Sequence, residues 1–165
     1  MALELLAEHT FPKLLWYVKN PDDYVFNLDD VRDPDVKYPN QKKNGKLKCN
    51  PNGKNPSDVW RIPKVTSGAN RASKERTPHP AQFPIEMITR IVKASSNKSG
   101  LILDPFMGSG STAEVALREG RYVIGFELEK RYIKYAAERL DEVSERIEMA
   151  KAQGTLFRSE KRLEL

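Results

Sequence analysis

Leu101-Ile102-Leu103-Asp104-Pro105-Phe106-Met107-Gly108-Ser109-Gly110-Ser111-Thr112 reads as a buried apolar strand that runs into a glycine turn and opens a helix. Glycines at 108 and 110 let the backbone turn sharply and approach a ligand closely, and the helix start beyond them offers N–H groups without intrahelical partners. Ser111 to Arg118 supplies that helix, Gly120 ends it, and Tyr122-Val123-Ile124-Gly125-Phe126-Glu127 forms the next strand. Glu127 closes that strand 19 residues after Gly108. A carboxylate there can accept hydrogen bonds from both hydroxyls of a ribose. Together these features describe a site for an adenosine-containing ligand.

Working outward, Met87, Ile88, Ile91 and Val92 recur at helical spacing, with Pro84 suited to the first turn. Downstream, Tyr132, Ile133, Ala136, Leu140, Val143 and Ile147 mark a long amphipathic helix. The order helix-strand-helix-strand-helix predicts an α/β fold with a parallel, helix-covered sheet, of which only two strands are evident. On spacing alone the glycine turn leaves three readings open. It can be a βα turn without ligand, the site described above, or a relaxed dinucleotide fingerprint of NAD type, since Gly108-x-Gly110-x-x-Ala113 fits one. A triphosphate loop is disfavoured because no Lys follows the last glycine.

The first half differs in texture. Leu14-Leu15-Trp16-Tyr17-Val18 and Tyr24-Val25-Phe26-Asn27, separated by Asn20-Pro21-Asp22-Asp23, predict two strands in a hairpin-like unit. Residues 35–80 are rich in Pro, Gly, Asn and Lys and read as a long ordered loop that depends on a partner. Its apolar anchors are Val59-Trp60-Arg61-Ile62, a short strand or a packed loop. Trp16 and Trp60 are read as core anchors. The net charge of +5 over 165 residues hides an asymmetry: Lys37 to Arg76 hold 11 Lys and Arg against two acids, a balance of +9, and the remaining residues carry −4. One basic segment on a mildly acidic body points to a local polyanion contact. A single Cys49 and only His9 and His79 speak against disulfides and zinc-type clusters, and no apolar run approaches membrane-spanning length. The expectation is a cytoplasmic protein without metal or membrane.

The wider string Asp104-Pro105-Phe106-x-Gly108-Ser109-Gly110-Ser111-Thr112 resembles the cofactor motif of DNA amino-methyltransferases, the N6-adenine and N4-cytosine enzymes. His79-Pro80-Ala81-Gln82-Phe83-Pro84 is similar to the segment that precedes this motif in the permuted, beta group, where the catalytic half comes first. Gly125-Phe126-Glu127, then Tyr132, Ala136 and Arg139, resemble that group's acid-bearing strand and following helix. Leu15-Trp16-Tyr17, Tyr24-Val25-Phe26-Asn27 and Asn55-Pro56-Ser57-Asp58-Val59-Trp60-x-Ile62-Pro63 are similar as well, so the likeness covers roughly residues 10–140.

The resemblance implies a partial Rossmann-like methyltransferase sheet, residues 81–150, that binds S-adenosyl-L-methionine. Ahead of it lies a loop-rich basic target-recognition extension, residues 1–80, and behind it a charged tail, 151–165. It further implies that Glu127 binds the ribose and that Phe106 and Leu128 flank the adenine or line the pocket, with Pro105 among the cofactor-binding residues. Gly108, Ser109 and Gly110 then pass beneath the methionine part, and Ser111 and Thr112 meet its carboxylate at the helix start. His79, Pro80 and Gln82 close the other side. Asp104 either contacts the ammonium, the favoured role, or caps the turn. Lys42, Lys43, Lys46, Lys48, Lys54 and Lys64 become candidates for phosphate contacts with double-stranded DNA.

One departure matters. Members of the resembled family carry a catalytic loop of Asp, Asn or Ser followed by Pro-Pro-Tyr, and this sequence has no Pro-Pro pair. In the permuted order that loop lies upstream of Met1. The expectation is therefore a DNA methyltransferase portion, N6-adenine favoured over N4-cytosine. Alone it would be inactive and would need a complementary N-terminal half or self-association. The competing readings are a non-catalytic DNA-binding remnant and an NAD-type protein.

Overall fold

The computed structural model describes residues 13–65 and 75–153. Arg71 and Lys74 of the basic segment and most of the expected charged tail lie outside the described residues. The elements in chain order are a 3-10 turn at Leu28–Val31, β1 (Lys42–Lys43), β2 (Lys46–Leu47), α1 (Ile85–Ser95), β3 (Leu101–Asp104), α2 (Ser111–Arg118), β4 (Tyr122–Gly125) and α3 (Lys130–Ala152).

The second half follows its periodicity. Pro84, at φ −60°, presets the entry to α1. Ile88 and Val92 of that helix pack with Val115 of α2, and Ile85, Met87, Ile91 and Ile102 close the cluster. α2 ends in paired reverse bonds, Arg121 N–H to the Ala116 carbonyl at 2.7 Å and Gly120 N–H to that of Leu117 at 3.1 Å. Small residues then let α3 approach: Ala113, Ala116 and Ala136 are all at most 1% exposed. β3 and β4 pair in parallel from Leu101↔Tyr122 to Asp104↔Gly125, so α2 is the crossover of a β-α-β unit. The strand expected to reach Glu127 ends at Gly125.

β3 is not buried, contrary to its apolar sequence. Its even side, Ile102, faces the helices, while Leu101 and Leu103 are 64% and 63% exposed. The same alternation exposes Tyr122 and Ile124 of β4, so among the described residues helices cover one sheet face and leave the other bare.

The first half departs further. Neither Leu14–Val18 nor Tyr24–Asn27 forms a strand, because among the described residues no ladder partner lies beside either stretch. Side chains bring them together instead: Trp16 meets Tyr24 edge-on at 5.2 Å and Phe26 at 5.5 Å. Trp16 remains 54% exposed and is not a core anchor. Asn27 explains the stretch, because its side-chain amide donates to the carbonyls of Lys93 and Ser96 at 3.0 and 2.9 Å and so caps the end of α1. Trp60 lies half-buried in a packed loop, under the Arg90 guanidinium at 4.8 Å. Residues 35–80 are not wholly irregular, since β1 and β2 make an antiparallel hairpin within them.

Candidate functional site

The loop between β3 and α2 is stitched to the strand beside it. Asp104 and Phe126 extend the pairing at 2.9 Å, and Met107 N–H donates to the Phe126 carbonyl at 2.8 Å. The Asp104 carboxylate accepts the Phe106 N–H at 3.0 Å, so it caps its own turn. Gly108 and Gly110 both have positive φ, 55° and 79°. At each a β-carbon would also collide, with the His79 ring at 3.0 Å for Gly108 and with Ala136 of α3 at 3.0 Å for Gly110. The glycines thus admit an imidazole on one side and a helix on the other.

Glu127 closes the loop from below. One carboxylate oxygen accepts the Gly108 N–H at 2.9 Å and the other accepts the Glu129 N–H at 2.9 Å. The Glu129 N–H first, and the Gly108 N–H after it, hold the Glu127 carboxyl below the usual carboxylate range. Burial opposes the shift, and the nearby His79 adds to it. The Leu128 N–H adds a third, smaller contribution, and with about four lone-pair sites the carboxylate keeps acceptor capacity for a further donor.

His79 stands over Gly108 with its ring edge-on to Tyr132 of α3 at 4.3 Å. Its Nδ1 accepts the Ala81 N–H at 3.2 Å, which leaves Nε2, the atom nearest the Gly108 position, as the ring's free nitrogen. Gln82, 7% exposed, folds the segment on itself: its amide nitrogen donates to the Glu75 carbonyl at 2.6 Å and its oxygen accepts the Thr77 N–H and hydroxyl, each at 2.9 Å. Gln82 therefore shapes the turn that carries His79.

A residue that sequence reading matched only as part of a helix carries much of this geometry. The Arg139 guanidinium, 9% exposed, donates to the Glu114 carboxylate at 2.9 Å, the Ser111 hydroxyl at 3.3 Å and the Glu75 carbonyl at 2.7 Å. One side chain of α3 thus ties the start of α2 to the segment bearing His79. Glu114 is also paired with Arg118.

Of the expected ligand residues, Ser109 and Ser111 are buried at 3% and 6% exposure, whereas Phe106 and Leu128 stand 89% and 98% exposed. His79, Gly108 and Glu127 come together at the loop, with Ser109, Gly110 and Ser111 following Gly108 in the chain. In α2 the first intrahelical bond is Glu114 N–H to the Gly110 carbonyl at 2.9 Å, so the N–H groups of Ser111, Thr112 and Ala113 precede the ladder. Two concavities of the described residues lie away from the loop, against Phe26 to Asp30 and between Pro34 and Gly53. Among the basic candidates, Lys42, Lys43, Lys46, Lys48 and Lys64 are exposed, while Lys54 is paired with Asp33 at 3.2 Å. Among the described residues no helix is long and apolar enough to cross a membrane, and no group of three or more His, Cys, Asp and Glu could hold a metal ion.

The DNA methylase family (N6_N4_Mtase) matches residues 7–138. The chain is 61% identical over 129 residues to the type II methyltransferase M.ScaI of Streptomyces caespitosus, covering 78% of this chain and 42% of that protein. It is 43% identical over 128 residues to type II methyltransferase M.BglII of Bacillus subtilis, covering 74% of this chain and 34% of that one. Among solved structures, the M1.HpyAVI–SAM complex is 37% identical, covering 39% of this chain and 33% of that chain with a TM-score of 0.37. The chain spans less than half the length of these curated relatives.

Proposed function

This chain belongs to the DNA methylase family, and from that premise we propose that it is the cofactor-binding and DNA-contacting portion of a site-specific DNA amino-methyltransferase. The observation that carries the reading is the hydrogen bond that joins Glu127 to Gly108 in a loop where Phe106 and Leu128 stand exposed. The residues present fit S-adenosyl-L-methionine. Glu127 keeps acceptor capacity for the ribose, and the exposed Phe106 and Leu128 offer apolar surface to the adenine. The unpaired N–H groups at the start of α2 suit the carboxylate of the amino-acid end, with the His79 ring above it. When bound, the cofactor supplies the methyl group. The favoured acceptor is N6 of adenine, with N4 of cytosine the alternative, and the compartment is the cytoplasm.

The catalytic Pro-Pro-Tyr loop comes from polypeptide outside these 165 residues, joined to them or separate. Support for such a companion lies in the bare sheet face, where Leu101, Leu103, Tyr122 and Ile124 are 46–66% exposed. A contiguous apolar face of this kind marks a surface that another element covers. We assign that element to the N-terminal catalytic half of the permuted enzyme. Without its loop nothing holds the target base in line, and lost positioning of this sort forfeits ~7–11 kcal/mol of barrier reduction.

The test is transfer of labelled methyl groups to duplex DNA by the 165-residue chain, with and without the complementary half. The expected result is no transfer by the chain alone and restored transfer on mixing. Robust transfer by the isolated chain contradicts the assignment of the catalytic residues. Duplex binding without any cofactor binding would instead identify a non-catalytic remnant.

A further inference from the structure

Between the 3-10 turn and the loop that holds Trp60, the basic segment has a definite shape. Asp33 and Lys54 exchange both backbone hydrogen bonds at 3.0 Å and add an ion pair at 3.2 Å. The Asp35 N–H, and then the Lys54 ammonium, hold the Asp33 carboxyl below its ordinary range. Arg32 reinforces this base, donating to the Gly53 carbonyl at 3.3 Å and the Asn55 side-chain oxygen at 2.8 Å. At the tip Asn44 and Gly45 have φ of 53° and 77°, the left-handed pair of a two-residue hairpin turn whose twist matches the strands. Between base and tip the ladder runs Lys43↔Lys46 and Lys42↔Leu47, and Lys48 N–H donates to the Gln41 carbonyl at 2.8 Å one rung further.

Strand side chains alternate between faces, and cross-strand partners share a face. The register therefore puts Lys43, Lys46, Lys48 and Gln41 on one side and Lys42 with Leu47 on the other. No acid occurs between Lys37 and Lys54. Among the described residues Lys42, Lys43, Lys46 and Lys48 have no ion-pair partner, whereas exposed cations elsewhere, such as Lys134, Arg146 and Lys151, do. Three uncompensated ammonium groups sit within three rungs of a ribbon whose base is fixed.

We propose that the ribbon face carrying Lys43, Lys46 and Lys48 seats duplex DNA, with the Asn44-Gly45 tip directed into the major groove. The proposal rests on the DNA-contacting reading above and sharpens it from a basic segment to one face of one hairpin. The groove, ~12 Å wide, admits a two-stranded ribbon. A ribbon already ordered at base and tip loses little freedom on binding. Uncompensated like charges on one face are stabilised by a run of phosphates, which lose their condensed counterions in return. Lys54, engaged with Asp33, belongs to the base and not to the seating face.

The experiment is fluorescence anisotropy of the full chain with a labelled duplex across a salt series. Each phosphate contact adds ~0.9 to the steepness of log K against log salt, so K43Q/K46Q/K48Q should flatten it by ~2.7. Opposite-face K42Q should flatten it by ~0.9 at most. The triple K130Q/K134Q/K151Q on α3 removes the same charge and should leave the steepness as in the wild type. Equal flattening by both triples would show a general charge effect and overturn the proposal. A wild type with steep salt dependence that the ribbon triple does not alter would overturn the ribbon face while the DNA reading stands. A wild type without salt-dependent duplex binding would overturn both, and tighter binding to single strands or to anionic vesicles would overturn the occupant. Chemical unfolding of each variant separates a lost contact from a lost fold.

Discussion

The carboxylate of Glu127 accepts the backbone N–H of Gly108 at 2.9 Å, so the acid expected to hold a ribose is also the brace of the glycine loop. Its second oxygen holds the Glu129 N–H, at the entry to α3. The shape of the loop and the proposed ribose contact therefore depend on the same group. Glu127→Ala should weaken S-adenosylhomocysteine binding by roughly ten- to a hundredfold, through lost charge-assisted bonds and a loosened loop together. Glu127→Gln keeps one acceptor oxygen and should lose less. Isothermal calorimetry orders the three proteins, and equal affinities would remove Glu127 from the site.

The same bonds set a pH dependence. Because the folded-state carboxyl of Glu127 titrates below its ordinary value, the charged form is favoured by folding. Its contribution is fully present above the unfolded-state value and is lost as pH falls through the lower folded value. NMR of the Glu127 side-chain carboxyl and the Gly108 amide should show both signals moving together, below the ordinary glutamate range. A midpoint at or above that range would mean that the brace is not formed.

Arg139 should matter for stability and for the order of the His79 segment. Removing one partner of a buried pair costs about 3–5 kcal/mol. Arg118 still neutralises Glu114 in Arg139→Ala, so the lower end, about 3 kcal/mol, is expected from urea unfolding. Hydrogen exchange at residues 75–82 should rise in step, because the Glu75 carbonyl loses its guanidinium. Arg139→Lys keeps the charge without the fork and should recover only part of both. Wild-type exchange in that segment would confine Arg139 to the helix pair.

The bare sheet face makes a different prediction. Leu103→Glu lies on exposed surface and should shift the stability of the isolated chain by no more than about 0.5 kcal/mol. It should nonetheless abolish association with the complementary half, measured by co-purification. Ile102→Glu, aimed into the helix cluster, should unfold the chain itself. Normal assembly of Leu103→Glu would move the docking surface elsewhere. A wild-type chain that sediments as a stable dimer would favour self-association.

Much of the second half was legible in the sequence because local rules decide it. Helical spacing marked α1 and α3, Gly120 ended α2, and Glu127 came to the loop because parallel pairing brings the end of β4 beside the end of β3. Long-range geometry was less accessible. Arg139 finds its partners 25, 28 and 64 residues away, and no local pattern announces that. The stretches around Trp16 and Phe26 have strand-like composition but no strand beside them, so aromatic contacts and the Asn27 cap determine their path. The hairpin did have a signal, the Asn44-Gly45 dipeptide, obscured because polar Lys residues flank it in place of alternating apolar ones. β3 was misjudged for a separate reason: whether an apolar strand is buried depends on what covers it.

The identity of the small molecule that the glycine loop binds decides most directly whether this is a methyl-donor site. Calorimetric titration of the 165-residue chain with S-adenosylhomocysteine and, in parallel, with NAD measures it. The prediction is saturable one-to-one binding of S-adenosylhomocysteine and no heat of binding with NAD. Binding of NAD in its place, or of neither, would contradict the assignment of Glu127 and the loop to a methyl-donor site.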